Sequence, residues 1–325
     1  MKIILIHDTA QIAKAAAMAY RTHRTLLGRY PWLPEKREDD FVHRIEWMAR
    51  EGRVYGLAEG DELLAFLGWF KIDDYRNVGA AAFTPDWCSA VSAPDGEVPR
   101  LMGTLVRRLL GDLKEAGIPI HALGIASANG AFLEEFSLLG YGRIVLDAAR
   151  PTAELIGETG AGAGVPREPG PGELNVRAAT GSDAKALSEL DASLARHVGA
   201  PPVLMPDTHG STEGEWEQWL ASADSLTFVA ERDGIPVGFI KADPPHFDVS
   251  WFVHGAETMA ICGLYVDPAS RGSGAGEALL RRLALTAADR GYTLMSVDCE
   301  THNPEARAFW TRRFRPVTWS FERRL

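Results

Sequence analysis

The chain has 325 residues, 46% hydrophobic and 24% charged, with a formal net charge of −10. That length suits two domains of about 150 residues, and the composition is that of a globular protein. The acidic balance disfavours nucleic acid and leans toward cationic ligands, and no apolar run approaches the roughly 20 residues that span a bilayer, so the expected setting is the cytoplasm, with no membrane partner.

The first predicted element is a strand, "KIILIH", whose apolar run before His7 and Asp8 is too short for a secretion signal. Helical sequence follows, then paired strands in "VYGLAEGDELLAFLGWF", a further strand, and "APDGEVPRLMGTLVRRLL", which leads into a helix. The block "GIPIHALGIASANGAFLEEFSLLGYGRI" closes this half. Residues 151–172, "PTAELIGETGAGAGVPREPGPG", are rich in glycine and proline and read as a linker.

The same order then recurs. A strand in "ELNVRAAT" precedes a helix that shares a Thr-x-x-x-Ala-Lys-Ala pattern, at Thr180 to Ala186 and at Thr9 to Ala15. A hairpin in "TFVAERDGIPVGFIKAD" turns at Asp233-Gly234. A long strand leads into "DPASRGSGAGEALLRRLA", where Leu279, Leu280, Leu283 and Leu285 give a helix an apolar stripe that Gly291 ends. Pro94 and Pro268, Arg107 and Arg281, Gly117 and Gly291, and Asn129 and Asn303 all lie 174 positions apart. A constant offset over this distance implies a duplicated α/β unit, each copy a mixed central sheet flanked by helices: residues 1–150 and 173–325.

Between the shared anchors the copies disagree. Where the second has Arg271-Gly272-Ser273-Gly274-Ala275-Gly276, the first has Glu97-Val98-Pro99-Arg100-Leu101-Met102. A strand, a glycine-rich loop and a helix turn backbone amides toward a phosphate group. The loop lacks the Gly-Lys-Ser/Thr of a nucleotide P-loop and the spacing of the dinucleotide fingerprint, but fits R/Q-x-x-G-x-G/A at Arg271, Gly274 and Gly276.

From "NVRAATGSDAKAL" through "ICGLYVDPASRGSGAGEALL" to "NPEARAFW", the second half resembles the GCN5-related N-acetyltransferase (GNAT) family. The resemblance implies a fold of two tandem GNAT domains and acetyl-CoA as cosubstrate. It implies that the amides of Arg271, Gly272, Ser273, Gly274, Ala275 and Gly276 hold the pyrophosphate, that Leu264, Tyr265 and Val266 lie beside the pantetheine arm, and that Asn303 lies close to it. The first half resembles the same fold more distantly. Pro99 offers no amide proton there, and Val98, Leu101 and Met102 add bulk, so this copy reads as a degenerate GNAT domain.

Acetyl transfer to an amine needs a neutral nucleophile and a proton for the leaving thiolate. Alternation along "LMSVDCE" puts Ser296, Asp298 and Glu300 on one strand face, while the first half has Gly124 and Ala126 at the carboxylate positions. Glu300 is therefore the first choice for base or acceptor anchor, assisted by Asp298, in a direct transfer. Trp310 stands where the family has its general-acid tyrosine, which leaves Tyr265 or water as alternative proton donors. Cys88, Cys262 and Cys299 lack CxxC spacing and the histidines lack ligand spacing, so buried, reduced thiols and no metal are expected. The expected acceptor is a small-molecule amine, in a pocket shaped by Pro201, Pro202 and Met205. The rival reading is a noncatalytic acyl-CoA-binding sensor or regulatory protein. Two fused units suit a monomer built as an internal pseudo-dimer, or a homodimer.

Overall fold

A computed structural model describes residues 1–158, 172–206, 208–246 and 250–325. The chain gathers into two compact units that are not consecutive halves. Unit 1 comprises Met1–Asp147, a short segment ending at Val253, and Pro316–Leu325; unit 2 comprises Ala148–His246 and His254–Arg315.

In unit 1, β1 (Lys2–Leu5) is followed by α1 (Thr9–Arg29), whose first turn is capped by the Asp8 carboxylate accepting from the Gln11 amide. Helix α2 (Glu38–Glu51) opens with three acids, Glu38, Asp39 and Asp40, which suit the positive end of a helix. Strands β2 (Arg53–Glu59), β3 (Glu62–Ile72), β4 (Ala81–Thr84) and β5 (Ser89–Val91) come next, then α3 (Val98–Ala116), β6 (Ile120–Ala126) and α4 (Gly130–Leu138). Strands β1, β2 and β3 are antiparallel neighbours, β3 pairs with both β4 and β5, and β4 runs parallel to β6. Helix α3 buries Leu101, Leu105, Leu109 and Leu113 in the core beneath this sheet and ends at Gly117, whose φ of 67° is the left-handed value that glycine tolerates.

The chain passes into unit 2 within β7 (Gly142–Pro151), and α5 (Thr152–Glu158) follows. Residues 152–158 are thus helical where the sequence suggests a linker, because Leu155 has a buried site to fill. The remainder of the expected linker, 159–171, lies outside the described residues. Next come β8 (Leu174–Ala178), α6 (Ala184–Gly199), α7 (Glu213–Ala221), β9 (Leu226–Arg232), β10 (Ile235–Asp243), β11 (Thr258–Val266), α8 (Ala275–Asp289), β12 (Leu294–Glu300) and α9 (Pro304–Thr311). The sheet runs β8-β9-β10-β11-β12, antiparallel except for the parallel β11–β12 pair. The β9–β10 turn has positive φ at both Asp233 (51°) and Gly234 (78°), as a type I′ hairpin requires. Leu279, Leu280 and Leu283 of α8 are buried with Ala284 and Ala287, whereas Leu285 sits half-buried beside the stripe.

The last strand, β13 (Arg315–Arg324), pairs antiparallel with β6, from Thr318 opposite Ala126 to Arg324 opposite Ile120. Its residues follow all of unit 2 in the chain yet complete the sheet of unit 1, where Val317 and Phe321 are fully buried. Among the described residues, no helix is long and apolar enough to cross a membrane.

On β8 of unit 2, Arg177 grips Asp183 with two 2.8 Å hydrogen bonds and Glu231 with a third. The guanidinium holds the Asp183 carboxyl down at about 2, below its ordinary 3.8. A carboxyl depressed on folding contributes stability that is complete above the unfolded value and is lost as pH falls through the folded one. Between pH 5 and pH 2 the protein should therefore lose about 1–2 kcal/mol through this group, allowing for the half-exposed arginine. Denaturant midpoints at the two pH values check this: Asp183→Asn should lose that much less over the interval, and equal losses would contradict the assignment.

Candidate active site

The site begins where two parallel strands part. Strands β11 and β12 pair from Thr258 opposite Leu294 to Ile261 opposite Val297, and beyond this point they no longer pair with each other. The cause lies on the other side of β11. Its register with β10 shifts between Lys241 and Ala242, leaving Cys262 as one extra residue between Ile261 and Gly263. A bulge bends its own strand, and this one turns the second half of β11 away from β12. Cys262 is consequently exposed rather than packed in the sheet as expected, while Cys88 and Cys299 are buried.

The loop after β11 closes one end of the gap. The Asp267 carboxylate accepts from the Ala269 amide and starts a turn through Ser270. Gly272 and Gly274 follow with φ of 77° and 86°, values that a side chain would strain, and a Cβ at either would point into open space. Gly274 is the N-cap of α8 and provides no side-chain cap, so the first-turn amides have no acceptor within the helix. Ser273 turns its hydroxyl back to the Ser270 carbonyl (2.7 Å). Gly276 is crowded for a different reason: a Cβ there would lie 3.3 Å from the Phe309 ring.

One cleft of about 640 Å³ joins these parts. It is lined by Leu264, Tyr265 and Val266 of β11, by Arg271, Gly272, Gly274, Ala275 and Gly276 of the loop, and by Asp298, Glu300 and Asn303. Of the residues expected at the donor and catalytic positions, only Ser273 is absent from the lining. Asp298 is exposed, Glu300 is half-buried with His302 Nε2 3.8 Å from its carboxylate, and Ser296 is buried. Met205 lines the cleft with His197 of α6; Pro201 and Pro202 do not. Tyr265 belongs to the core cluster with Trp216 and Phe239, which makes it a poor candidate for moving a proton. Trp310 is 5% exposed and packs edge-on against Phe309 and Phe314. Sequence reading missed Phe309, Glu305 and Arg313, although "NPEARAFW" contains the first two. Among the described residues, no three His, Cys, Asp or Glu side chains are gathered to hold a metal.

Asn303 has a visible task. Its side chain accepts from the Ala306 amide (3.1 Å) and caps α9, as Asn129 caps α4 by accepting from Phe132 (3.3 Å). The shared asparagine thus caps a helix in both units, and in unit 2 it also lines the cleft.

The corresponding point of unit 1 is filled. There β4 and β6 part after Thr84 and Leu123, but five residues, 84–88, now lie opposite two of β3. This enlarged bulge pushes Asp86 against β6, where a Cβ on Gly124 would come within 3.0 Å of the Asp86 main chain. Gly124 stands where unit 2 has Asp298, so the missing carboxylate and the filled gap have one cause. The Asp86 carboxyl accepts from Ser250 Oγ (2.5 Å) and, at 3.4 Å, from Thr318, and its burial raises its pKa.

The acetyltransferase (GNAT) family matches residues 199–314. An aminoglycoside N(6')-acetyltransferase type 1 from Stenotrophomonas maltophilia is 31% identical over 137 residues, covering 41% of this chain and 80% of that protein. Among solved structures, a GCN5-related N-acetyltransferase from Sphaerobacter thermophilus aligns over 99% of this chain and 95% of its own at 14% identity and a TM-score of 0.56, a likeness of fold. A tandem GNAT protein from the clavulanic acid biosynthesis pathway aligns over 99% and 98% at 11% identity, with a TM-score of 0.45.

Cys262 gives a chemical test of the cleft's electrostatics. Although the residue as a whole is exposed, its Sγ turns inward to donate to the Ala260 carbonyl (3.4 Å), and desolvation of the sulfur there, then the charges of Asp298 and Asp243, push the thiol up to about 12. Weighing the scarcer thiolate against its greater intrinsic nucleophilicity, alkylation by iodoacetamide at pH 8 should be roughly a hundredfold slower than for a free cysteine. Peptide mass spectrometry measures the rate at this residue, and Asp298→Asn should raise it severalfold. An ordinary rate in the native protein would exclude this environment.

Proposed function

This chain belongs to the acetyltransferase (GNAT) family, and we propose that unit 2 transfers the acetyl group of acetyl-CoA to an amine of a small molecule. The observation that carries the reading is the parting of β11 and β12 beside a helix whose glycine-rich N-terminus opens into the same cleft. Those features fit the donor's two contrasting parts. Left-handed glycines leave the loop amides accessible to a pyrophosphate, and the divergent strand offers main-chain partners to an extended amide-bearing arm. The donor supplies an acetyl group activated as a thioester.

The chain's own part is to bind, orient and move protons. Glu300 takes a proton from the attacking amine, and Asp298 attracts a cationic acceptor to the cleft mouth. Direct transfer fits this reading best, because the raised Cys262 thiol is a poor nucleophile at neutral pH. Trp310 can donate a hydrogen bond to the leaving sulfur but cannot protonate it, which leaves that proton to water. The family relationship makes aminoglycosides the first acceptors to test. Unit 1 has a structural role in this reading, its gap occupied by Asp86. The noncatalytic sensor remains a second reading on one observation, the buried indole at the usual acid position.

Calorimetry with acetyl-CoA should give one bound equivalent, lost in Gly276→Glu, where the new side chain meets Phe309 and brings negative charge to the loop. Two equivalents would refute the reading of unit 1, and none would refute the donor. Thiol release on a panel of aminoglycosides and other small amines should identify an acceptor. Glu300→Gln should then lower kcat by about 10²-fold or more while leaving donor affinity within about threefold. Intact binding with no release on any amine would favour the sensor.

A further inference from the structure

Both arginines that line the cleft meet a glutamate that also lines it. Arg313 is fixed by three contacts: the Glu277 carboxylate, the Phe309 carbonyl (2.7 Å) and the Phe309 ring, 3.9 Å beneath its guanidinium. Arg271 is held more loosely. Its Nε donates to the Val266 carbonyl (3.2 Å) at the end of β11, which orients the guanidinium, and its Nη1 donates to Glu305 Oε2 at 2.6 Å. Glu305 stands in the first turn of α9, 61% exposed, against 35% for Arg271. The same carboxylate oxygen lies 3.7 Å from His197 Nε2 in the last turn of α6.

This placement puts a carboxylate where the phosphate loop presents its only cation. Arg271 begins the run of residues that leads to the uncapped amides of α8. Carboxylate and phosphate oxygens compete for the same guanidinium donors, and the phosphate carries more charge. An exposed ion pair is weak enough to be exchanged, whereas the triply held Arg313 is not. Glu305 would not be stranded by the exchange, because His197 stays within reach and the positive end of α9 favours an acid there.

We propose that Glu305 is an internal competitor for phosphate at Arg271, displaced when the donor's pyrophosphate takes the guanidinium. The proposal rests on the reading that unit 2 binds acetyl-CoA, and it makes Glu305 a determinant of donor affinity and of selectivity for phosphate-bearing donors. A purely structural role as a helix-end acid predicts the reverse, since losing it would loosen the site.

The test is calorimetry on the full chain with acetyl-CoA, inorganic pyrophosphate and acetyl-pantetheine, which lacks the phosphates. Glu305→Gln should tighten acetyl-CoA and pyrophosphate by about twofold to fivefold and leave acetyl-pantetheine unchanged. Arg271→Gln should weaken acetyl-CoA, and adding Glu305→Gln to it should restore nothing. Equal or weaker acetyl-CoA binding by Glu305→Gln, a gain shared by acetyl-pantetheine, or a gain that survives without Arg271 would each overturn the competition. If the native chain binds no acetyl-CoA, the donor reading fails, and the competition is then decided by pyrophosphate alone: tighter in Glu305→Gln supports it, and unchanged overturns it.

Discussion

The structure turns on where a pair of parallel strands stops pairing. Main-chain groups that lose their ladder partners must be satisfied by something else, and each unit answers differently. In unit 2 a single extra residue, Cys262, bends β11, and the separation stays open as a cleft. In unit 1 the same separation receives a five-residue bulge, and Asp86 fills it against a glycine of β6. The glycine loop, the carboxylates at the end of β12 and the packing of Phe309 matter chemically only because the first outcome leaves room for them.

Charge within the cleft is arranged in opposed pairs. Arg271 and Arg313 each face a glutamate, and Asp298 acts on the Cys262 thiol from the end of β12. On the proposed reading, an anion would enter by taking Arg271 from its glutamate rather than by meeting an excess of positive charge. That is compatible with a chain of net charge −10 and with an acidic approach for a cationic acceptor.

Much of this was legible from local sequence. The Asp233-Gly234 hairpin, the left-handed glycines of the loop and the apolar stripe of α8 depend on backbone conformation or helical periodicity, which neighbouring residues determine. The repeated asparagine was legible as a repeat but not as a cap, since capping becomes visible only through the bond to Ala306 or Phe132. The filled gap of unit 1 could not be read, because Asp86 depends on Gly124, Ser250 and Thr318, all far from it in sequence. Glu305 was hidden for the same reason: its partner Arg271 is 34 residues away. Alternation in "RPVTWSFERR" announces a strand without saying which edge receives it, and the placement of β13 beside β6 escaped on that account.

That last strand bears on how the molecule is made. On the ribosome, residues 120–126 emerge nearly two hundred positions before the segment that covers their edge. During that interval β6 pairs only with β4 among the described strands of its unit and waits for β13 through the synthesis of the whole catalytic candidate. An uncovered strand edge is a template for pairing with other chains. Unit 1 therefore cannot complete its sheet until β13 has been made, although most of its sequence comes first.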